Sequence, residues 1–379
     1  MKLKDILFLI GVVAVIVMIL TFDVSFTQLW HYILQAGYWL IAILALWGVL
    51  YLMNAWSWHV ILRGSGPCPV SYLYLLRITV SGFALNYTTP VGLLGGEPYK
   101  IIQLTPHVGV QRATSSVLLF AMMHVFAHFC FWTSAIIIYL LLAAYRLLPL
   151  NTAIAVVLAF SALFCALGIY LFIRGYRYGM ALRTIRLLTR IPGIRGWARR
   201  FLTDHHDDLT KIDRQIAQLH SQSRPTFYLS LAIEYIGRVC QSFEIFFMLI
   251  LFHSLPDNSL AALSMGFLQS FLILSFTSLF ANILGFLPLQ LGGREGGFAL
   301  SVSALGMTSA LGLFISIICR VRELFWAVIG LALMKVEVKK EVKKEVKKEV
   351  KEEVKEDESV SSTSDSELTN EANAEIKLA

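Results

Sequence analysis

The chain has 379 residues, of which 57% are hydrophobic and 15% charged, where an ordinary soluble domain carries roughly 45–50% and about 25%. That excess of apolar surface excludes a soluble globular fold and predicts an all-α, polytopic membrane protein. The formal charge of +7 carries no nucleic-acid inference, because Lys and Arg in such proteins gather in cytoplasmic loops.

In chain order, a basic start at Lys2 and Lys4 precedes an apolar run ending near Leu20. No small-x-small cleavage pattern follows at Thr21-Phe22-Asp23-Val24, so this run is expected to remain as a first helix over about 5–21 rather than a removed signal peptide. Further hydrophobic helices are predicted at about 29–62, 71–87, 115–145, 151–173, 226–253, 259–286 and 309–334, giving about eight transmembrane helices. Two segments between them, 88–108 and 287–305, are still largely apolar but rich in Gly and Pro. The five cysteines, Cys68, Cys130, Cys165, Cys240 and Cys319, have no metal-ligand spacing and read as small buried hydrophobes.

Segment 174–225 carries Arg174, Arg177, Arg183, Arg186, Arg190, Arg195, Arg199, Arg200, Lys211, Arg214 and Arg224 against four aspartates, which predicts a cytoplasmic loop with amphipathic helices on lipid headgroups and Trp197 as interfacial anchor. Arg63, Lys100 and Arg112 can join it on that side only if 71–87 is followed by an element that folds back. The same device is required at 287–305 before the last helix returns to Lys335. The two interruptions read Pro90-Val-Gly92-Leu-Leu-Gly95-Gly96-Glu97 and Pro288-Leu-Gln-Leu-Gly292-Gly293-Arg294-Glu295. Each is proline, then a glycine pair, then glutamate. Opening toward opposite sides, they predict two re-entrant broken-helix elements in an inverted pseudo-repeat.

The expected organisation is a first membrane half (1–173), the basic loop (174–225), a second half (226–334) and a charged tail (335–379). In the tail, valine recurs every fourth position from 338 to 354, too thin a stripe to bury, before a Ser/Asp/Glu/Asn-rich stretch that reads as disordered.

Ionisable residues inside apolar helices cost about 2.5–3.5 kcal/mol or more each unless paired or wet, so they are expected to face inward. Arg77 stands mid-helix one turn from Ser81. Glu234 and Arg238 are spaced i,i+4, with Gln241 continuing the face and Glu244 further along. Arg320, Arg322 and Glu323 interrupt the last helix, the first and last at i,i+3. Pairing along one helix face is the plain structural account. The recurrence of arginine beside glutamate in separate segments favours a binding role instead. His124 and His128 have two-histidine metal spacing without an HExxH glutamate, and Asp204-His205-His206-Asp207-Asp208 reads as a solvated turn, so neither metal nor cofactor is expected. No GxSxG, GxxxxGK[ST] or Rossmann pattern occurs, and no enzymatic role is expected.

On Pro90 to Glu97 with Pro98, Tyr99 and Lys100, on Leu287 to Glu295, and on the basic loop between the halves, the chain resembles the transmembrane region of the lysylphosphatidylglycerol synthases and their stand-alone, flippase-like relatives over about residues 5–334. The resemblance implies a body with two re-entrant elements that moves or holds a lipid bearing a phosphate or aminoacyl group. Gly95, Gly96, Glu97, Gly292, Gly293 and Glu295 match the family's motif positions. Full-length synthases carry a soluble aminoacyl-transferring domain after the membrane part; the Lys/Glu/Val tail stands there in this chain, so lipid aminoacylation is not expected.

The leading expectation is an inner-membrane lipid translocator with both termini cytoplasmic, its partner a phospholipid or a polyprenyl-phosphate-linked lipid, with self-association left open. Arg77, Lys100, Arg294 and Arg320 are expected at the headgroup, Glu97, Glu234 and Glu295 as counter-charges, with Arg238, Arg322 and Glu323 completing the site. Two alternatives are a membrane enzyme transferring sugar or phosphate to a polyprenyl carrier and an ion-coupled transporter of a small solute.

Overall fold

The computed structural model describes residues 26–88, 93–178, 186, 189, 195–204, 206, 207, 210, 224–283 and 293–335. The expected helix at 5–21, Gly292, most of the basic loop and the tail beyond 335 lie outside the described residues. The chain divides into two units, Met1–Leu331 and Ala332–Ala379; of the second, residues 332–335 are described and are helical.

Every regular element among the described residues is helical. They are α1 (Phe26–Gly64), α2 (Tyr72–Thr88), α3 (Leu93–Val108), α4 (Val110–Ala144), α5 (Thr152–Tyr178), α6 (Arg195–Asp204), α7 (Arg224–Leu251), α8 (Leu260–Ile283), α9 (Gly293–Ala304) and α10 (309–335). Four stretches are long and apolar enough to cross a bilayer by length and composition: Ile33–Gly64, Val110–Ala144, Thr152–Arg174 and Leu260–Ile283. Helices α7 and α10 are also long, but carry Glu234, Arg238, Glu244, Arg320, Arg322 and Glu323. Those side chains turn inward, which lets a helix with too much charge for lipid sit in the body.

Helix ends follow from local chemistry. Ser71, Asn151 and Ser259 cap α2, α5 and α8 by accepting from the amides of Tyr74 (3.2 Å), Ile154 (2.9 Å) and Ala262 (3.2 Å). Helices α4, α7 and α9 end alike. A residue with positive φ, respectively Arg146, His253 and Gly306, is followed by an amide donating back to the carbonyl five residues earlier. Two of these three left-handed caps are not glycine and were not legible as stops. Inside α1, Gly37 has φ 51° and ψ −134° and kinks the helix, dividing a stretch of 39 residues that is too long for one crossing.

Helix α7 packs along α1, and also on α4 and α8; α4 further contacts α1, α5 and α8. The apolar core runs through Phe131, Ala135, Ile245, Met248, Leu272, Ile273, Phe298 and Ile315. Helix α2 pairs with α3, and α8 with α9. Residues 95–97 and 293–295 therefore each lie on the second arm of a helical hairpin, whose connecting residues, 89–92 and 284–292, lie outside the described residues. Helix α10 meets α2 closely: the Ser81 hydroxyl donates to the Gly330 carbonyl at 3.0 Å, and a Cβ on Gly330 would stand 2.6 Å from Val80 O. Arg112, at the start of α4, ties down the α1–α2 turn by donating to the carbonyls of Leu62, Gly66 and Pro67 and to Ser65 Oγ.

Candidate functional site

The first motif is built by the close approach of α2 and α3. A Cβ on Gly96 would lie 2.2 Å from the Gly82 carbonyl oxygen and 2.7 Å from the Asn86 side chain. The approach lets the Gly96 amide donate to Asn86 Oδ1 at 2.8 Å. Asn86 in turn donates through Nδ2 to Glu97 Oε2 at 2.8 Å, and Lys100 Nζ reaches Glu97 Oε1 at 3.1 Å. Gly82 makes room for the lysine stem, since a Cβ there would stand 2.7 Å from Lys100 Cε. The Lys100 ammonium stands 5.1 Å from the centre of the Phe120 ring, a cation–π contact.

Because the atom opposite Gly96 is backbone, a methyl group there cannot be relieved by a rotamer change. Gly96→Ala is expected to destabilise by about 1–3 kcal/mol, the usual cost of overpacking. Thermal unfolding of the detergent-solubilised protein measures it, and an unchanged midpoint would show that the hairpin does not need this approach.

Opposite Glu97 and Lys100 stand α4 and α7. His124 Nδ1 lies 2.8 Å from Glu234 Oε2, and Arg238 reaches the same ring at Nε2. Arg238 also donates to Gln241 Oε1 at 2.8 Å, and His128 Nδ1 donates to the His124 carbonyl at 2.9 Å. The i,i+4 pair of α7 is thus bridged by a histidine from α4. The His124–His128 spacing suggests a metal face rather than this bridge; a basic side chain inside an apolar helix is the signal that points to a buried acidic partner.

Between these walls lies a cavity of about 580 Å³. Glu97, Lys100, Asn86, His124, His128, Glu234, Arg238, Gln241 and Asn282 supply its polar lining. Trp47, Tyr51, Phe83, Phe120, Phe129, Trp132 and Phe164 supply aromatic faces. Cations, anions and rings converge on one space inside an apolar body, suited to a ligand that is charged at one end and greasy beside it.

The second motif is engaged differently. Gly293 opens α9, Arg294 pairs with Glu323, and Glu295 Oε1 accepts from Arg320 at 2.9 and 3.2 Å. Arg322 grips Glu244 of α7 with two donors, at 2.9 and 3.3 Å, and lies 3.7 Å from the centre of the Trp47 ring. Trp47 Nε1 also donates to Glu244 Oε2 at 2.9 Å. Three arginines and three glutamates so neutralise one another across α7, α9 and α10. The i,i+3 spacing of Arg320 and Glu323 does not make them each other's closest partners; each reaches across to α9.

Of the sequence-predicted residues, Glu97, Lys100, Glu234 and Arg238 line the cavity, and Gly96 positions Glu97. Gly95 is a helical residue of α3. Arg294, Glu295, Arg320, Arg322 and Glu323 belong to the ion-pair cluster. Arg77 lies on α2 with its guanidinium 5.7 Å from the Tyr74 ring centre. Asn86, His124, Trp47 and Tyr51 were not expected at the site. Among the described residues, no three His, Cys, Asp or Glu side chains gather as a metal site needs.

Comparison with known proteins adds one finding. The family model described as the lysylphosphatidylglycerol synthase TM region matches residues 8–331. No curated protein and no solved structure matches the chain.

Proposed function

Since the chain belongs to the family of the lysylphosphatidylglycerol synthase TM region, we propose that it translocates a membrane lipid, holding a phosphate-bearing or zwitterionic headgroup in the cavity between α3, α4 and α7. The observation that supports this reading is the cavity itself: about 580 Å³, within the roughly 300–1,000 Å³ usual for small-ligand sites. Lys100 and Arg238 suit the phosphate, Arg238 through its planar fork. Glu97 and Glu234 suit an ammonium substituent, and the ring-lined wall suits the glycerol and upper acyl chain. Asn282, the last but one residue of α8, lies on the cavity beside the second Gly-Gly-Glu hairpin. The headgroup passes from the first hairpin toward the second, whose ion pairs hold α9 against α10. The Lys/Arg bias of the basic loop supports a cytoplasmic membrane with both termini of the chain on the cytoplasmic side.

The test is lipid scrambling in reconstituted vesicles, using phosphatidylglycerol labelled on an acyl chain. Lys100→Gln removes the cation while keeping a polar side chain, and is expected to slow translocation about tenfold or more, as loss of one charge-assisted hydrogen bond does. Wild-type vesicles no faster than protein-free ones would sink the proposal, and equal rates in wild type and Lys100→Gln would remove this cavity from it.

A further inference from the structure

We propose that Glu234, His124 and Arg238 form a proton-binding site that takes up one proton when a phosphate-bearing headgroup engages Arg238, so that lipid and proton cross together. This rests on the lipid-translocating reading of the cavity.

The geometry carries it. The Glu234 side chain is 2% exposed, and its Oε2 receives His124 at 2.8 Å. Its Oε1 is buried without a hydrogen bond. The Ser57 hydroxyl of α1 donates instead to the Ser230 carbonyl at 3.4 Å. One Arg238 nitrogen contacts Nε2 of the same ring and stands 3.3 Å from its Nδ1, so the guanidinium lies against the imidazole. A guanidinium has only donors. A second ring proton would set a cation and another N–H against those donors, so the ring is neutral, and with its one proton on Nδ1 it donates to Glu234 while the Nε2 lone pair stays on the Arg238 side. Carboxylate, imidazole and guanidinium then carry −1, 0 and +1.

A proton added at Nε2 would point N–H at N–H and set one cation against another. Protonation of His124 and its contact with Arg238 thus exclude each other. A phosphate that draws Arg238 into the cavity removes that cation and leaves Nε2 open on a ring whose Nδ1 is already bonded to a carboxylate. A proton drawn from the bulk through cavity water then adds to the Nε2 lone pair, while the Nδ1 proton stays with Glu234. The headgroup's negative charge is matched by the new positive charge on His124, and the cavity remains neutral. Linkage makes the effect reciprocal: protonation strengthens headgroup binding by the same factor.

The other groups facing Glu234 and His124 do not supply this response. From α3, Lys100 and Glu97 neutralise each other at 3.1 Å. From α4, His128 spends its Nδ1 proton on the His124 carbonyl. From α1 come Tyr51 and Ser57, from α8 Asn282, and from α7 itself Gln241, none of them charged. Glu244 lies further along α7 and is held by Arg322.

The experiment uses the full chain in detergent, weakly buffered near neutral pH with an indicator dye, titrated with dihexanoyl-phosphatidylglycerol while calorimetry follows binding. Wild type is expected to take up about one proton per lipid bound, because a histidine is the group that gains one there. His124→Gln, close in size, is expected to take up none. Lipid binding without proton uptake overturns the proton site and leaves the translocation reading standing, as does uptake that persists in His124→Gln. Failure of the lipid to bind at all overturns both. Inorganic phosphate forms a second arm. Uptake with lipid alone assigns the response to a lipid-specific site, and uptake with both assigns it to the phosphate group itself; either supports the proposal. In vesicles, wild-type translocation is expected to fall about tenfold as pH rises through the histidine range, and a flat profile overturns the coupling.

Discussion

Arg322→Met is expected to leave little folded protein. The Arg322 and Glu244 side chains are each 1% exposed, joined by two hydrogen bonds at 2.9 and 3.3 Å. Removing one member of such a pair costs about 3–5 kcal/mol, because the other charge remains buried without its partner. The loss here is compounded. Arg322 also lies on Trp47 and stands 3.5 Å from Glu323, so one substitution leaves Glu244, among the described residues, with the donors of Trp47 and Cys319 and leaves Glu323 its contact with Arg294. The double variant Arg322→Met, Glu244→Met removes both charges together and is expected to be milder than Arg322→Met alone, a non-additivity that marks direct coupling. Thermal unfolding followed by size-exclusion chromatography measures both. A single variant as stable as wild type would mean that the cluster is exposed to water in the membrane.

The second large effect is on transport. Arg238→Gln is expected to reduce lipid translocation about a hundredfold, equivalent to about 2–3 kcal/mol, the upper range for hydrogen bonds to a charged group. Arg238 supplies both the cation that lies against His124 and a planar fork that fits phosphate oxygens. Arg238→Lys keeps the charge and loses the fork, and is expected to fall between wild type and Arg238→Gln. Scrambling rates normalised to reconstituted protein check the order. If Arg238→Gln translocates as fast as wild type while remaining folded, the headgroup does not use this residue.

The Gly-Gly-Glu repeat was legible as two interruptions of the apolar pattern, and helices Leu93–Val108 and Gly293–Ala304 stand at those places. What the motifs do was not legible. At Gly96 the missing side chain is what lets α3 lie against Gly82 and Asn86. The two motifs look alike in sequence, yet Glu97 takes a lysine one turn along its own helix whereas Glu295 takes an arginine from α10. Spacing along a helix predicts neighbours on that helix and says nothing of what another helix brings.

By itself the sequence determined that this is a helical membrane body, where most of its described helices run, and which charges must turn away from lipid, because apolar length and the cost of a charge in hydrocarbon act on each segment alone. Only the tertiary structure decided which of those charges cancel in a closed cluster and which line a cavity. Ion pairing depends on distances of a few ångströms between side chains far apart in the chain: Glu244 and Arg322 are separated by 78 positions, His124 and Glu234 by 110. No periodicity within one helix encodes that meeting; it is set by which helices pack against one another, as α7 does on α4.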